Sequence, residues 1–295
     1  MLRLRQTTTA FLLAIVATAT PAAENENAAK AKPPEAKTPK FLLRYQFKPG
    51  EQLRYETINH LTQQGVVGQG EKVDTTKIVQ NRLFTIGKVD DDTAAASMQF
   101  EYVRMELKSD DNEPEIFDST MPLKDVSKKF QGTARQLAGK APSYILQCAG
   151  TPVSDAGIEQ IPEGGQASFM IPLPENQIAV GDTWKVNMIV SVRLDEGVKR
   201  QIKLLRTYRL ENVDDGVATI GFFTSVMSTV KAPALKAQLL QATPQGEIRF
   251  DIENGKLLRK EFRFDRMVMG ALGPGSVLSA KGATVETLNY ETESK

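Results

Sequence analysis

The sequence predicts a mainly β (α+β) fold of two similar curved antiparallel sheets, each with one accompanying helix. Two observations predict it. Residues 78–103 align without a gap with residues 202–227, at an offset of 124 positions (202 − 78). In and around both stretches, apolar and polar residues alternate with the period of two that is typical of strands. An aligned repeat of this kind indicates an internal duplication, so we expect both halves of the chain to build the same sheet.

The beginning of the chain has the pattern of a secretory signal peptide. Arg3 and Arg5 precede an apolar run at 11–16, and small residues follow up to Ala23. We therefore expect residues 1–23 to be removed and the protein to be exported, to the periplasm or outside the cell. No Cys follows the candidate cleavage positions, so no lipid anchor is expected. No segment reaches the roughly 20 apolar residues of a membrane-spanning helix.

The rest of the chain divides into a linker and two subdomains. Residues 24–40 contain no aromatic and no large aliphatic residue, so we predict a disordered linker rich in Ala, Lys, Pro and Glu. The predicted subdomains are 41–160 and 165–290, and the Pro- and Gly-containing stretch 162–174 is the predicted seam. The pattern does not decide whether the subdomains share one continuous sheet.

Each half is predicted to open with a turn followed by a strand. In the first half a strand at 41–47 leads to the turn Gly50-Glu51 and a strand at 52–61, and in the second half Gly181-Asp182 precedes an alternating strand at 184–194. These turns are 131 positions apart (181 − 50), seven more than the downstream offset of 124. A long connection at 63–70 accounts for the excess, since the second half has only the tight turn 195–197.

The aligned stretches then predict a hairpin in each half, turning at 88–92 and 212–216, where Asp and Gly supply the turn conformation. Apolar residues at helical spacing predict one helix after each hairpin, at 123–137 and 235–240. The remaining strands are predicted at 143–147, 247–252, 257–268, 277–280 and 284–290.

Composition excludes several classes of function. The formal net charge is +1 and charges of both signs are interspersed, so neither nucleic acid nor anionic lipid is favoured as a partner. The common zinc, redox, hydrolase and phosphate-loop signatures are absent, and we expect neither a cofactor nor catalysis. Cys148 is the one cysteine, which excludes an intrachain disulfide, and we interpret it as a small buried filler.

Other chemically capable residues have structural explanations. His60 falls on the polar face of its strand and is predicted to face solvent, without a catalytic or metal role. The acidic runs 90–92 and 214–216 lack the spaced ligands of a calcium site, so we interpret them as hairpin turns.

Arginine occupies the apolar register of both halves, as Arg82 and Arg206. One interpretation is a side chain whose stem packs on apolar neighbours while its head is hydrated or paired with an acid. The other is a ligand anchor, because a guanidinium group matches a carboxylate or phosphate. A sheet concavity would then enclose the apolar part of the ligand. Its predicted lining is Phe84, Met98, Tyr208 and Phe222.

The segment Tyr45-Gln46-Phe47-Lys48-Pro49-Gly50-Glu51 resembles the Y-x-F-x-P-G-E opening of an uncharacterised family of exported bacterial proteins. The resemblance implies export and a duplicated β architecture, and it assigns no functional residue. A curved sheet with a helix across it is also similar in shape to periplasmic lipoprotein carriers.

Three functions follow as expectations. The first is an exported, non-catalytic binding or scaffold protein of the bacterial cell envelope, for an apolar or amphipathic ligand or another envelope protein. The second is a periplasmic carrier of lipid or lipoprotein. The third is a hydrolase without a recognisable motif, since carboxylates alone suffice for some hydrolytic chemistry.

Overall fold

The computed structural model describes residues 38–137, 143–150, 159–160, 170–193 and 198–289. The predicted signal peptide and all but the end of the predicted linker lie outside these residues, as does the turn 195–197. The strands are β1 Lys40–Phe41, β2 Gln52–Val67, β3 Gly70–Asp90, β4 Thr93–Ser109, β5 Glu115–Asp118, β6 Ser143–Gln147, β7 Glu159–Gln160, β8 Ile178–Ala179, β9 Thr183–Arg193, β10 Lys199–Asp214, β11 Val217–Val226, β12 Gln245–Asp251, β13 Lys256–Met269 and β14 Val277–Asn289. The helices are α1 Gln131–Leu137 and α2 Pro233–Gln238, with a 3₁₀ turn at Leu123–Asp125.

The prediction of a mainly β chain with antiparallel sheets and two helices is confirmed. Within the described residues, a 12-stranded sheet runs in the order β5-β4-β3-β2-β14-β13-β12-β11-β10-β9-β7, and β6 also pairs with β4. Because β2 pairs with β14, strands of both halves belong to this one sheet. The short strands β1 and β8 form a separate pair.

The duplication is visible in the strand register. In the first half Phe84 lies opposite Leu53 on one side and Met98 on the other. In the second half Tyr208 lies between Trp184 and Phe222, which are the positions expected from the offsets of 131 and 124. Both hairpins also carry a register shift just before the turn, after Ile86 and after Leu210. The two halves therefore repeat the pairing as well as the sequence pattern.

Turn geometry repeats in the same way. The amide of Gly50 donates to the carbonyl oxygen of Ile86 at 2.9 Å, and that of Gly181 donates to Leu210 at 2.7 Å. Both glycines have positive φ, 79° and 99°, a conformation that favours glycine at these turns. The sequence pair Gly-acid thus fixes the entry to the first long strand of each half.

Several predicted strands and connections differ from the structure. The strand predicted at 41–47 is limited to Lys40–Phe41, because the amides of Tyr45 and Gln46 donate to Cys148 and Gly255 and not to a continuous ladder. The predicted connection 63–70 is mostly strand, since β2 continues to Val67 while it pairs with β14. The strands predicted at 277–280 and 284–290 are one strand, β14.

The main core joins the two halves. Its buried aromatic rings meet at centroid distances of 5.0–6.0 Å, and they come from both halves and from the segment before β2. Met170, Ile171 and Leu173, in the last part of the predicted seam, are buried in the same core. The Ile171 amide donates to the Tyr45 hydroxyl oxygen at 2.9 Å. The segment at 43–47 and the end of the seam therefore fill much of the space that the curved sheet encloses.

Two smaller clusters lie beneath the helices. Leu235 and Leu239, in and just after α2, pack against Met188, Ile202 and Leu204 of β9 and β10. In the first half, Val126 and Phe130 before α1 pack against Val103 and Phe117. The helix predicted at 123–137 is therefore shorter and begins at Gln131, and the apolar residues upstream of it still pack on the sheet.

Candidate functional site

The six residues predicted to bind a ligand lie on the inner face of the sheet. Phe84, Met98, Tyr208 and Phe222 belong to the main core, with at most 7% of each residue exposed. Arg82 and Arg206 each stand two residues before one of these aromatic residues on the same strand face. The structure therefore places four of the six residues in the main core and the two arginines next to them. Ligand contact at these residues stays a prediction.

Three cationic side chains and one carboxylate meet beside this aromatic layer. We call Arg82, Arg206, Lys260 and Glu286 the interior cation cluster. Arg82 forms an ion pair with Glu286 and donates to the Thr57 hydroxyl at 2.9 Å. The Lys260 Nζ lies 3.1 Å from the second oxygen of the same carboxylate, and the side chains of Lys260 and Glu286 are only 2% and 3% exposed. One carboxylate on β14 is thus shared by cations from β3 and β13.

Arg206 has different neighbours. Its Nε donates to the Thr224 hydroxyl at 3.0 Å, and the residue is 6% exposed. Its guanidinium carbon lies 5.3 Å from the ring centre of Phe222 and 5.4 Å from that of Phe262. No carboxylate of the described residues lies within ion-pair distance of it. Both arginines therefore have a hydroxyl partner and an aromatic neighbour, and the carboxylate is what Arg206 lacks.

The cluster carries more positive than negative charge in a poorly hydrated place. Burial lowers the pKa of Lys260, Glu286 opposes that shift, and Arg82 and Arg206 add to the lowering. The Phe262 ring is close to two of the cations: its centre lies 5.3 Å from the Lys260 Nζ and 5.4 Å from the Arg206 guanidinium carbon. A carboxylate or phosphate beside these cations would offset the excess positive charge.

The cluster lies at a boundary of the interior. Below it along the strands, Tyr55, Phe84 and Leu288 are buried. The next inward positions above it, Asn59 and Thr284, are only half-buried and are joined by a hydrogen bond of 2.6 Å. On β2 and β14 the buried core therefore gives way to half-buried polar residues at the cluster, whereas on β10 the next inward residues beyond Arg206, Leu204 and Ile202, are buried.

Sequence reasoning found two members of the cluster and missed Lys260 and Glu286. Both are charged residues in an apolar register, since Lys260 shares a strand face with Phe262 on β13 and Glu286 shares one with Leu288 on β14. A charged residue in an apolar register could therefore have identified all four. Their convergence on one place depends on the pairing of β14 with β13 and β2.

The other chemically capable residues are placed as follows. His60 is exposed, as predicted. The acidic runs lie at the β3–β4 and β10–β11 turns, where Asp215 and Gly216 have positive φ. Cys148 is partly buried against the main core, and burial raises the pKa of its thiol. Among the described residues, no cluster of three His, Cys, Asp or Glu side chains could hold a metal ion.

Comparison with known proteins does not supply a family. No family profile matches the chain, and no curated protein matches it. Among solved structures, the chain is similar to a DUF1329 family protein from Desulfovibrio piger, with 8% identity, 81% of this chain and 87% of that chain covered, and a TM-score of 0.15. No helix of the described residues is long and apolar enough to cross a membrane.

Proposed function

We propose that this protein is an exported, non-catalytic binding protein of the bacterial cell envelope, and that its ligand carries an acidic group beside an apolar part. The single observation that carries the proposal is Arg206, a buried cation with no carboxylate partner among the described residues. The flanking rings of Phe222 and Phe262 provide an apolar contact next to the guanidinium group.

Physical chemistry favours an anion at this position. A buried cation without an opposite charge nearby keeps part of the free-energy cost of leaving water. A bound carboxylate would make a charge-assisted hydrogen bond with the terminal nitrogens of Arg206. The cost of leaving the arginine unpaired in the free protein would thus be offset on binding.

The alternatives have less support. A lipid or lipoprotein carrier needs a continuous apolar cavity, whereas the main core is filled by rings in mutual contact and by the segment that contains Tyr45. A hydrolase working through paired carboxylates needs two acids that face each other. The buried Glu286 faces Arg82 and Lys260 instead.

The proposal can be tested by calorimetric titration with 4-phenylbutyrate and with the uncharged 4-phenylbutanol. We expect the acid to bind more tightly, and we expect Arg206→Gln to raise its Kd about tenfold or more, the effect of losing a hydrogen bond between charged groups. The matched control is Arg209→Gln, since Arg209 lies on the same strand with its side chain on the exposed face. Equal affinity for acid and alcohol, or unchanged binding by Arg206→Gln, would contradict the proposal.

A further inference from the structure

A groove separates α2 and its following turn from β13. Its volume is about 320 Å³. Most of the lining is apolar, and the apolar residues are Val226, Val230, Leu239, Leu240, Met267 and Val268. We call this the helix–strand groove.

Strand lengths create the groove. β12 lies between β11 and β13, but it begins only at Gln245, opposite Phe223 and Arg263. Beyond these positions β11 and β13 have no strand between them. The helix α2 occupies part of the gap, and its buried Leu235 packs with Leu239 toward β9 and β10. α2 also approaches β13, and the groove remains between them.

The charges in the groove have one sign. Lys236 of α2 and Arg266 of β13 both line it and both are exposed, and the lining contains no carboxylate. Neither cation is part of the interior cation cluster. An occupant with a negative group at one end would therefore meet complementary charge.

Met267 lines the groove and is 68% exposed. Two further exposed methionines, Met227 and Met269, lie one position along the chain from lining residues. Covering such exposed apolar side chains with an apolar partner is favourable, and unbranched methionine adapts to partners of irregular shape. The lining therefore favours a flexible apolar chain.

We propose that the helix–strand groove binds a single-chain anionic amphiphile of the fatty-acid type. Its methylene chain contacts the apolar lining and Met267, and its carboxylate contacts Arg266 and Lys236. The volume lies at the lower end of the roughly 300–1,000 Å³ usual for small-molecule sites, which fits one chain better than a two-chain lipid. A second copy of the protein fits less well, because a symmetric contact would bring the same cations of both copies together.

The test follows methionine methyl resonances of the ¹³C-labelled purified protein during titration with sodium dodecanoate below its micelle-forming concentration. Met267 lines the groove, whereas Met98 and Met170 are buried in the main core and serve as internal references. We expect a saturable shift of the Met267 methyl with the two references unchanged. Dodecyltrimethylammonium, which has the same chain and a positive head, should bind more weakly.

Charge variants complete the test. Arg266→Gln combined with Lys236→Gln should raise the Kd for dodecanoate about tenfold or more. Arg249→Gln combined with Lys281→Gln removes the same charge at exposed positions outside the groove and should leave the Kd unchanged. The absence of a saturable shift, equal binding of the cationic analogue, or an unaffected double variant would overturn the proposal. Met267 shifts that depend on protein concentration without dodecanoate would overturn it in favour of a second copy.

This proposal does not depend on the function proposed for Arg206. Arg206 does not line the groove. The Arg206→Gln variant should therefore show the same Met267 methyl shift as the unmodified protein during titration with dodecanoate. The two proposals can therefore fail separately.

Discussion

Arg82 and Arg206 occupy equivalent positions in the two halves, and their surroundings differ. Each lies two residues before an aromatic residue of the core, on a strand paired in the same register. Arg82 has the carboxylate of Glu286, whereas Arg206 has the rings of Phe222 and Phe262 and the hydroxyl of Thr224. The first arginine is thus paired with a carboxylate, whereas the second has no carboxylate partner among the described residues.

The source of the difference is a pair of additional strands, β13 and β14. β6 and β12 pair with equivalent positions of the two hairpins, Leu146 with Ala94 and Phe250 with Ala218. β13 and β14 follow only the second unit, and in the sheet they lie between the two units. β14 pairs with β2 and so places Glu286 close to Arg82. The surroundings of the two arginines differ because the extra strands adjoin the two units on different sides.

The largest expected effect comes from removing the shared carboxylate. Glu286→Gln leaves Arg82 and Lys260 buried without their counter-charge, so we expect a loss of ~3–5 kcal/mol in the free energy of unfolding. Urea denaturation measures it. Glu247→Gln, at an exposed position of β12, is the control and should change stability by less than ~0.5 kcal/mol. A small effect of Glu286→Gln would show that the carboxylate does not hold the cluster.

A direct comparison of the two arginines should give an intermediate effect. Arg82→Gln removes a charged hydrogen-bond partner of Glu286 and should cost about 2 kcal/mol. Arg206→Gln removes a buried cation that has no carboxylate partner among the described residues, so stability should stay within ~0.5 kcal/mol or increase. Equal destabilisation by both substitutions, in the same denaturation experiment, would show that the two halves use their arginines alike.

The smallest expected effect is a pH dependence from Lys260. Its pKa in the folded protein is lowered from 10.5, so below the folded pKa the amine is charged in both states and the cost of burying the charge is fully present. As pH rises toward 10.5 the folded state releases its proton first, and stability increases, by at most about 1.4 kcal/mol per pH unit.

This increase in stability with pH can be checked with unfolding curves at successive pH values up to 10.5. The comparison protein is the Lys260→Met variant, which lacks the titrating group. The difference in stability between the two proteins should change in favour of the unmodified protein as pH rises. A difference that is constant with pH would mean that the Lys260 pKa is not lowered by burial.

Part of the candidate site could be predicted from local patterns. An arginine in an apolar strand register was enough to place Arg82 and Arg206 on the inner face. The same rule applies to Lys260 and Glu286, but nothing local indicates that four residues from four strands converge. The helix–strand groove is even harder to predict from the sequence. It exists because β12 is shorter than β11 and β13, which both extend beyond its first residue.

The sequence by itself determined most of the long strands, the Gly-acid turns, the repeated register and the inward direction of the arginines. These properties are local, because the alternation of a strand and the conformation of a turn depend on residues a few positions apart. Only the tertiary structure decided that β2 pairs with β14, that the segment around Tyr45 fills the core, and that Arg82 and not Arg206 receives the carboxylate. Those outcomes depend on contacts between distant parts of the chain, whose partners are chosen by the packing of the whole sheet and not by any local pattern.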